Sequence, residues 1–247
     1  MTDSISVIIP TKNEEKFLPR LLASIRKQTL KPLEIIVADN FSTDRTPDII
    51  RESGALLVEG GLVATGRNKG AKIAKGDILV FFDADDILPK DTFLETAVKL
   101  FKDQGLDATT STIRLDHESR DSFAARCCFF TWNFGLRFSN IFNRSLAGGG
   151  PFFICTRQAF EKVKGFTEKM VYGEDVDFAN KFMKSGLKFK TLPLNIVTSG
   201  RRYKGLIKNI YSITGDLLFG LLMVLKLTHN EKIVSLVRKI YDSPEQA

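Results

Sequence analysis

The chain is predicted to be an α/β protein, with a mostly parallel, twisted sheet that has helices on both faces. Short apolar runs rich in β-branched residues alternate with segments of helical periodicity, and the connections between them are short. This alternation is typical of parallel strands joined by crossover helices. Polar residues follow directly after several of the apolar runs. Because ligands bind beyond the carboxyl ends of such strands, these polar residues are expected to line one crevice.

Composition sets the class of protein and of partner. The 247 residues are 43% hydrophobic and 26% charged, which is ordinary for a soluble globular protein. The net charge of +7 predicts an anionic partner: nucleotide phosphates, nucleic acid or an acidic membrane surface. Three cysteines form no C-x-x-C pair, and the chain starts with no basic segment followed by an apolar one. These features predict buried thiols in a reducing cytoplasm, with no secretory signal.

The first half of the chain is predicted to contain four strands. They cover residues 5–9, 33–38, 55–58 and 78–82, and Pro10 is expected to end the first. The intervening helices are predicted from three signals: apolar residues from Leu18 to Ile25 at i, i+3, i+4 and i+7, Thr46 as a cap before Pro47, and a helical segment from Gly66 to Ala74.

The fourth strand runs directly into the acids Asp83, Asp85 and Asp86. Side chains alternate along an extended chain, so Asp83 and Asp85 are expected to project to the same side, with Ala84 leaving the space between them open. Two converging carboxylates predict a divalent cation such as Mg²⁺ or Mn²⁺ between them. The simpler interpretation is a loop whose aspartates cap the next helix.

The order and spacing of five short motifs resemble glycosyltransferase family 2, over the first two-thirds to four-fifths of the chain. The motifs are Val7–Glu15, Glu34–Asp44, Gly66–Gly70, Ala74–Asp77 and Phe82–Asp85. The resemblance implies the nucleotide-diphospho-sugar transferase fold called GT-A, an inverting reaction and a UDP- or GDP-sugar as donor. Asn40-Phe41 stands where family members often have Asp-Gly.

The resemblance also implies roles for particular residues. Pro10, Thr11 and Glu14 would border the nucleotide base. Asp39 would bind base or ribose, and Arg67 would lie near the nucleotide. Asp85 would hold the metal on the diphosphate, and Asp83 would contact ribose or metal. The full implied donor-binding set is Pro10, Thr11, Glu14, Asp39, Arg67, Asp83, Ala84 and Asp85.

The second half is predicted to contain an amphipathic helix over 91–103, a strand over 108–113 and a long aromatic helix. The long helix carries an apolar stripe formed by Phe123, Cys127, Phe130, Phe134, Phe138 and Phe142. The favoured interpretation is a helix whose stripe packs in the core. A surface for a lipid-linked or hydrophobic acceptor is the alternative.

Two further motifs are candidates for the acceptor side of the site. Gly148, Gly149 and Gly150 allow close backbone approach to a ligand and precede a predicted strand. Glu174 and Asp175 begin a predicted helix, where acids are also common for capping alone. The resemblance implies that Asp175 is the general base and that Glu174 orients the acceptor. Asp177 is the alternative base.

A basic stretch, Arg201-Arg202-Tyr203, follows the last predicted strand. It is expected to contact the diphosphate or the acceptor, with anionic lipid headgroups as the alternative. The apolar run Leu217–Leu225 is too short to span a bilayer and is expected to dock on the domain or lie in a membrane interface.

The expected organisation is a catalytic domain over residues 1–200, with a nucleotide-sugar half (1–113) and an acceptor-side half (114–200). Residues 201–247 would form a basic loop and C-terminal helices, placing the protein in the cytoplasm or on the cytoplasmic face of a membrane. No nucleic acid partner is expected. Two alternative functions stay open: a haloacid-dehalogenase-like phosphatase with Asp83 as nucleophile, and a non-catalytic nucleotide-sugar or membrane-binding module.

Overall fold

A computed structural model of the chain describes residues 4–119, 123–142, 150–170 and 173–201. Its strands are β1 (Ile5–Thr11), β2 (Glu34–Asp39), β3 (Leu56–Glu59), β4 (Ile78–Phe81), β5 (Ala108–Leu115), β6 (Phe153–Thr156) and β7 (Phe189–Thr198). Its α-helices are α1 (Leu18–Arg26), α2 (Thr46–Ser53), α3 (Val63–Ile73), α4 (Phe93–Asp103), α5 (Phe123–Phe142), α6 (Arg157–Lys162) and α7 (Glu174–Lys184).

The described strands form one sheet in the order β3-β2-β1-β4-β6-β5-β7. Pairings among β1 to β4 are parallel, and so is the β5–β7 pairing, whereas β6 runs antiparallel to both of its neighbours. The carboxyl ends of all strands except β6 therefore meet at one edge of the sheet, together with the start of β6. The predicted mostly parallel α/β fold is confirmed.

The sheet is covered by helices on both faces, as predicted. Alternate residues of β1 point to opposite sides: Val7 and Ile9 pack with α1, α2, α4 and α5, and Ile8 packs with α3, α6 and α7. The same alternation separates Val80 from Leu79 in β4. Continuous apolar strands of this kind are expected where a sheet is buried on both faces.

The helix α3 lies unusually close to the sheet because two of its residues are glycines. A Cβ at Gly70 would stand 2.5 Å from Ile8 Cγ2, and one at Gly66 would stand 3.3 Å from Pro10 Cβ. The helix begins at Val63, three residues before the predicted start at Gly66. Its close approach brings Arg67 against the edge of the sheet where the strands end.

β1 continues through Pro10 to Thr11, so the prediction that Pro10 ends the strand is wrong. The carbonyl of Ile8 accepts a hydrogen bond from the Phe82 N–H on the β4 side, at 3.2 Å. The nitrogen of Pro10, two residues later, points to that same side. β4 has already ended at Phe81, the partner of Ile8, so the missing N–H of proline costs the sheet no hydrogen bond.

Residues 83–86 form a tight turn instead of extending β4. The turn is closed by a hydrogen bond from the Asp86 N–H to the Asp83 carbonyl, at 3.1 Å. The argument that Asp83 and Asp85 share one side of an extended strand is therefore wrong. Ala84 is 5% exposed and packs in the core, so it does not leave open space between them.

The predicted long aromatic helix is confirmed as α5, but the interpretation of its stripe is wrong where side chains are described. Phe130 and Phe134 are 73% and 55% exposed, and Cys127 is exposed too. The helix instead buries Ala125 and Leu136, which lie on another face. The exposure of Cys127 also corrects the prediction of buried thiols, which holds for Cys155.

Several predicted features lie outside the described residues: Gly148, Gly149, Arg202, Tyr203 and the run Leu217–Leu225. Within the described ranges, none of the helices combines the length and the hydropathy that a bilayer span requires.

Candidate functional site

The site is assembled at the edge where the parallel strands end. Thr11 and Asp39 are the last residues of β1 and β2 and face each other in register. The Asp83–Asp86 turn follows β4, and Gly150 precedes β6 at the same edge. The N-terminus of α7 and the residues after β7 complete the rim. Sequence positions from 11 to 201 are thus brought together by the parallel topology.

The loops after β1 and β2 are joined by hydrogen bonds that backbone N–H groups of the first loop donate to side chains of the second. Thr46 Oγ1 accepts from the Glu14 N–H at 2.8 Å, and Asp44 accepts from the Glu15 N–H at 3.1 Å. In return, Asn13 Oδ1 accepts from the Thr43 N–H at 2.8 Å. Thr46 was predicted to cap α2, but it is the first residue of that helix and Arg45 occupies the capping position. The Thr46 hydroxyl supports the loop after β1 instead.

Asp39 lies 8% exposed at the end of β2, where Ser42 holds its carboxylate. The Ser42 N–H donates to Asp39 Oδ2 at 3.0 Å and the Ser42 hydroxyl donates to Oδ1 at 2.5 Å. Between them Phe41 adopts a left-handed backbone (φ 52°) with its ring 69% exposed. Close by, Thr11 Oγ1 is buried with no hydrogen-bond partner within the described ranges.

Arg67 connects the end of β4 to the start of α7. Its guanidinium, 2% exposed, donates to Asp83 Oδ1 at 2.6 Å and to Glu174 Oε1 at 3.2 Å. The ring of Phe166 lies 5.0 Å from the guanidinium carbon. Burial alone would lower the pKa of Arg67, but the Asp83, Glu174 and Asp175 carboxylates raise it, so the side chain stays charged.

The two acids at the start of α7 have raised pKa values. Burial, followed by the charge of Asp175, raises the pKa of Glu174 to about 7 although Arg67 opposes the shift. Burial likewise raises the pKa of Asp175, again against Arg67. Carboxyl groups whose pKa values are raised toward neutrality are candidates for proton transfer. Each of these two also has a contact within the site: Glu174 with Arg67, and Asp175 with the Gly150 N–H.

Asp175 faces the glycine segment that precedes β6. Its Oδ2 accepts from the Gly150 N–H at 3.3 Å, while Oδ1 accepts from the Val176 N–H at 2.8 Å. Gly150 has φ 75°, a backbone conformation that glycine adopts without strain. The alternative base, Asp177, instead accepts from the Thr167 hydroxyl at 2.6 Å and lies 3.6 Å from Lys181, both of them structural partners.

Arg201 binds the loop after β1, although it lies 187 positions further along the chain than its partner Glu14. Its guanidinium donates to both carboxylate oxygens of Glu14, at 2.9 and 2.5 Å, and Nε lies 3.7 Å from Asp85 Oδ2. The ring of Phe17 lies 4.6 Å from the guanidinium carbon. Arg201 thus stands between a predicted base-side residue and the predicted metal ligand.

Asp86 is a site residue that sequence reasoning did not single out. It is fully buried, and its Oδ2 accepts from the Asp83 N–H at 2.9 Å. Burial raises its pKa well above the ordinary range, with Asp83 and Asp85 adding to the shift. Its place in the acidic run was visible in the sequence, but its burial was not, because an acid after a strand is usually solvated.

Asp83 and Asp85 are the candidate ligands for a divalent cation at this edge. Within the described part of the chain, no group of three or more His, Cys, Asp or Glu side chains is placed to hold a metal ion. Asp83 and Asp85, 38% and 18% exposed, are the two acids of the turn whose side chains reach the rim. Mg²⁺ and similar ions at nucleotide sites are commonly held by one or two carboxylates plus substrate phosphates, so these residues fit such an ion.

Comparison with known proteins identifies the family. The sequence model of glycosyl transferase family 2 matches residues 6–164, and a second model, the N-terminal domain of galactosyltransferase, matches residues 137–213. The chain therefore belongs to glycosyl transferase family 2, as the motifs predicted.

Two curated relatives differ in how much of them the chain matches. It is 41% identical over 112 residues to 4,4'-diaponeurosporenoate glycosyltransferase of Staphylococcus haemolyticus, covering 42% of this chain and 30% of that protein. It is 29% identical over 212 residues to an uncharacterised protein of Methanocaldococcus jannaschii, covering 79% and 82% respectively. The chain thus spans less than a third of the staphylococcal relative's length.

Solved structures agree on the fold. The Pyrobaculum calidifontis mannosyltransferase PcManGT, in complex with GDP-mannose and Mn²⁺, has a TM-score of 0.64 at 20% identity, covering 100% of this chain and 76% of that one. Staphylococcus aureus TarS 1–349 with UDP-GlcNAc has a TM-score of 0.63 at 21% identity, covering 97% and 73%. The GT-A fold predicted from the motifs is confirmed.

Proposed function

We propose that the chain transfers a sugar from a UDP- or GDP-sugar to a hydroxyl or phosphate acceptor, with inversion at the anomeric carbon. The observation that carries the proposal is the buried Asp83–Arg67–Glu174 link, which joins the turn after β4 to the acids of α7. Glycosyl transfer needs a donor phosphate group and a proton acceptor side by side. The link supports the proposal because it joins Asp83, a candidate for the donor side, to Glu174, the neighbour of the candidate base.

The donor would lie across the ends of β1, β2 and β4. Asp39 would contact the base or ribose, and the unpartnered buried hydroxyl of Thr11 is the kind of group that a ligand satisfies. Asp83 and Asp85 would hold a divalent cation, Mg²⁺ or Mn²⁺, with the donor diphosphate. When bound, such an ion neutralises charge on the departing nucleoside diphosphate.

Asp175 is proposed as the general base. The acceptor oxygen forms its bond to the anomeric carbon as the bond to the diphosphate breaks, and the acceptor's proton passes to the Asp175 carboxylate. The raised pKa of Asp175 suits this role, because a base works best when its pKa approaches the working pH. Glu174, fixed by Arg67, would orient the acceptor, and Gly150 would let it approach closely.

Arg201 is proposed as a second positive contact for the diphosphate. It already lies 3.7 Å from Asp85, and a guanidinium binds phosphate oxygens in the same paired geometry with which it binds Glu14. The phosphatase alternative is less favourable, because Asp83 Oδ1 is held by Arg67 at 2.6 Å and is a poor nucleophile in that state.

The test is a panel of UDP- and GDP-sugars with Mn²⁺ or Mg²⁺, with release of nucleoside diphosphate as the readout. We expect slow, metal-dependent release from one donor class. Asp85→Ala should weaken metal-dependent donor binding by calorimetry at least tenfold. Asp103→Ala, which removes a solvent-exposed acid paired with Lys99, is the matched control and should bind normally. Unchanged metal-dependent binding by Asp85→Ala would contradict the metal assignment.

A further inference from the structure

Helix α5 exposes aromatic side chains on one face. Phe130 and Phe134, one turn apart, are 73% and 55% exposed, and the exposed Cys127 lies one turn before them. We call these three residues the outer face of α5. Other faces of the helix are covered: Leu136 is 1% exposed, and Phe129 and Trp132 pack partly buried against the core. Apolar residues therefore occur around the helix, but only part of its circumference is buried.

The direction of α5 places its first turns beside the site edge. Ala125 packs on Leu115, the last residue of β5. Further along, the Asn133 side chain accepts from the Ile113 N–H at 2.8 Å and donates to the Ile113 carbonyl at 2.7 Å. The helix is thus held firmly against β5, and its outer face begins at the end of the molecule where the strands terminate.

The charged residues of α5 itself are all positive. Residues 122–160 contain no Asp or Glu, but they contain four arginines. Two of these, Arg126 and Arg137, are exposed on α5 itself. Aromatic residues beside exposed basic ones, without acids, match the interfacial region of an anionic bilayer: rings enter the headgroup layer and guanidinium groups meet the lipid phosphates.

The chain's own C-terminal residues are a poorer match for this face. Residues 202–247 contain seven Lys and Arg against four Asp and Glu, so they share the sign of α5 instead of complementing it. The same sign works against a second copy of the chain, whose net charge is +7. An anionic partner is the one that the charges favour.

We propose that the outer face of α5 rests on an anionic lipid bilayer, with Phe130 and Phe134 in the headgroup layer and Arg126 and Arg137 against lipid phosphates. The helix lies on the membrane and does not cross it. The proposal rests on the proposed function for one consequence: the acceptor would be a hydroxyl or phosphate carried by a lipid, delivered to the edge where Gly150 and Asp175 lie.

The experiment is flotation of the full chain with vesicles of phosphatidylcholine containing phosphatidylglycerol, compared with pure phosphatidylcholine. We expect binding to the anionic vesicles that weakens as salt rises. The variant F130Q/F134Q should partition at least tenfold less, and R126Q/R137Q about tenfold less with a shallower salt dependence. The matched control is L33Q/L62Q, which alters two residues that are 58% and 41% exposed away from α5, and it should bind as the unsubstituted chain does.

A second measurement locates the contact. Cys155 is fully buried and burial raises its thiol pKa, so an environment-sensitive label in a Cys128→Ser background would react at Cys127. Its emission should shift to the blue on addition of anionic vesicles. Nucleoside diphosphate release without vesicles is measured in parallel, and F130Q/F134Q should leave it unchanged. Loss of vesicle binding with intact release separates this proposal from the proposed function.

Three results would overturn the membrane proposal. One is equal vesicle binding by F130Q/F134Q and L33Q/L62Q. Another is no vesicle binding, with F130Q/F134Q changing the mass of the protein in solution, which would assign the face to a second copy. The last is no vesicle binding, with the same variant exposing residues 202–247 to protease, which would assign it to the C-terminal residues.

Discussion

The loops after β1 and β2 and the start of α7 line the same edge, but they hold their polar groups in opposite ways. In the loops, the side chains of Asn13, Asp44 and Thr46 accept hydrogen bonds from backbone N–H groups and so fix the backbone. At α7, burial raises the pKa values of Glu174 and Asp175, although Arg67 opposes both shifts. The first region thus has a fixed backbone geometry, and the second has carboxyl groups whose charge can change toward neutral pH. Arg67 joins the second region to a third part of the edge, the turn after β4, through Glu174 and Asp83.

Among the substitutions considered, replacing Arg67 should have the largest effect on stability and turnover. Arg67→Met leaves the Glu174 carboxylate buried without its counter-charge. We expect a loss of about 3 kcal/mol in unfolding free energy, the lower end for breaking a buried pair, because Asp83 is 38% exposed and water can solvate it. Denaturant unfolding measures it. Donor turnover should also fall strongly.

Arg157→Met is the control for that substitution. Arg157 donates to the carbonyls of Ala74 and Gly76, at the opposite edge of the sheet. The Arg157→Met variant should be less stable than the unsubstituted chain but keep its turnover per folded molecule. If Arg67→Met behaved in the same way, Arg67 would be a purely structural residue.

The raised pKa of Glu174 predicts a pH-dependent stability with a definite sign. The folded carboxyl has a pKa of about 7 against an ordinary 4.5, so between these values the folded chain keeps a proton that the unfolded chain has lost. The stabilisation is complete below about pH 4.5 and is lost as pH rises toward 7. The melting temperature of the unsubstituted chain minus that of Glu174→Gln should therefore fall across this range and level off above it. A flat difference would contradict the raised pKa.

The smallest effect on stability and turnover is expected from a substitution in the loops after β1 and β2. Thr46→Val keeps the shape of a fully buried side chain but leaves the Glu14 N–H without its acceptor. We expect a loss of about 1–2 kcal/mol in stability and a donor KM raised several-fold with kcat nearly unchanged. Thr96→Val, whose hydroxyl donates to the carbonyl of Thr92 at the start of α4, is the matched control for steady-state kinetics. A drop in kcat with unchanged KM would mean that the loops do more than hold the donor.

The sequence predicted the fold well because local signals and topology agree. The apolar runs and helical periodicity gave the order of strands and helices, and the strand ends gave the edge where the site lies. It could not predict that Arg67 bonds Glu174, 107 positions later, because that pairing depends on how α3 and α7 pack. It also missed the turn at Asp83–Asp86, since an acidic run after a strand has no local feature that sets its direction. The face of α5 that is buried depended on Asn133 and Ile113, a contact that periodicity does not reveal.

The most direct test of the account is Asp175→Asn, which preserves shape and removes the proposed base. We measure donor binding by calorimetry and single-turnover transfer to an acceptor identified with the unsubstituted enzyme. We expect donor binding within about twofold of normal and transfer slowed by roughly 10²–10⁴, the usual contribution of a general base. Normal transfer by Asp175→Asn, or loss of transfer in Asp177→Asn alone, would contradict it.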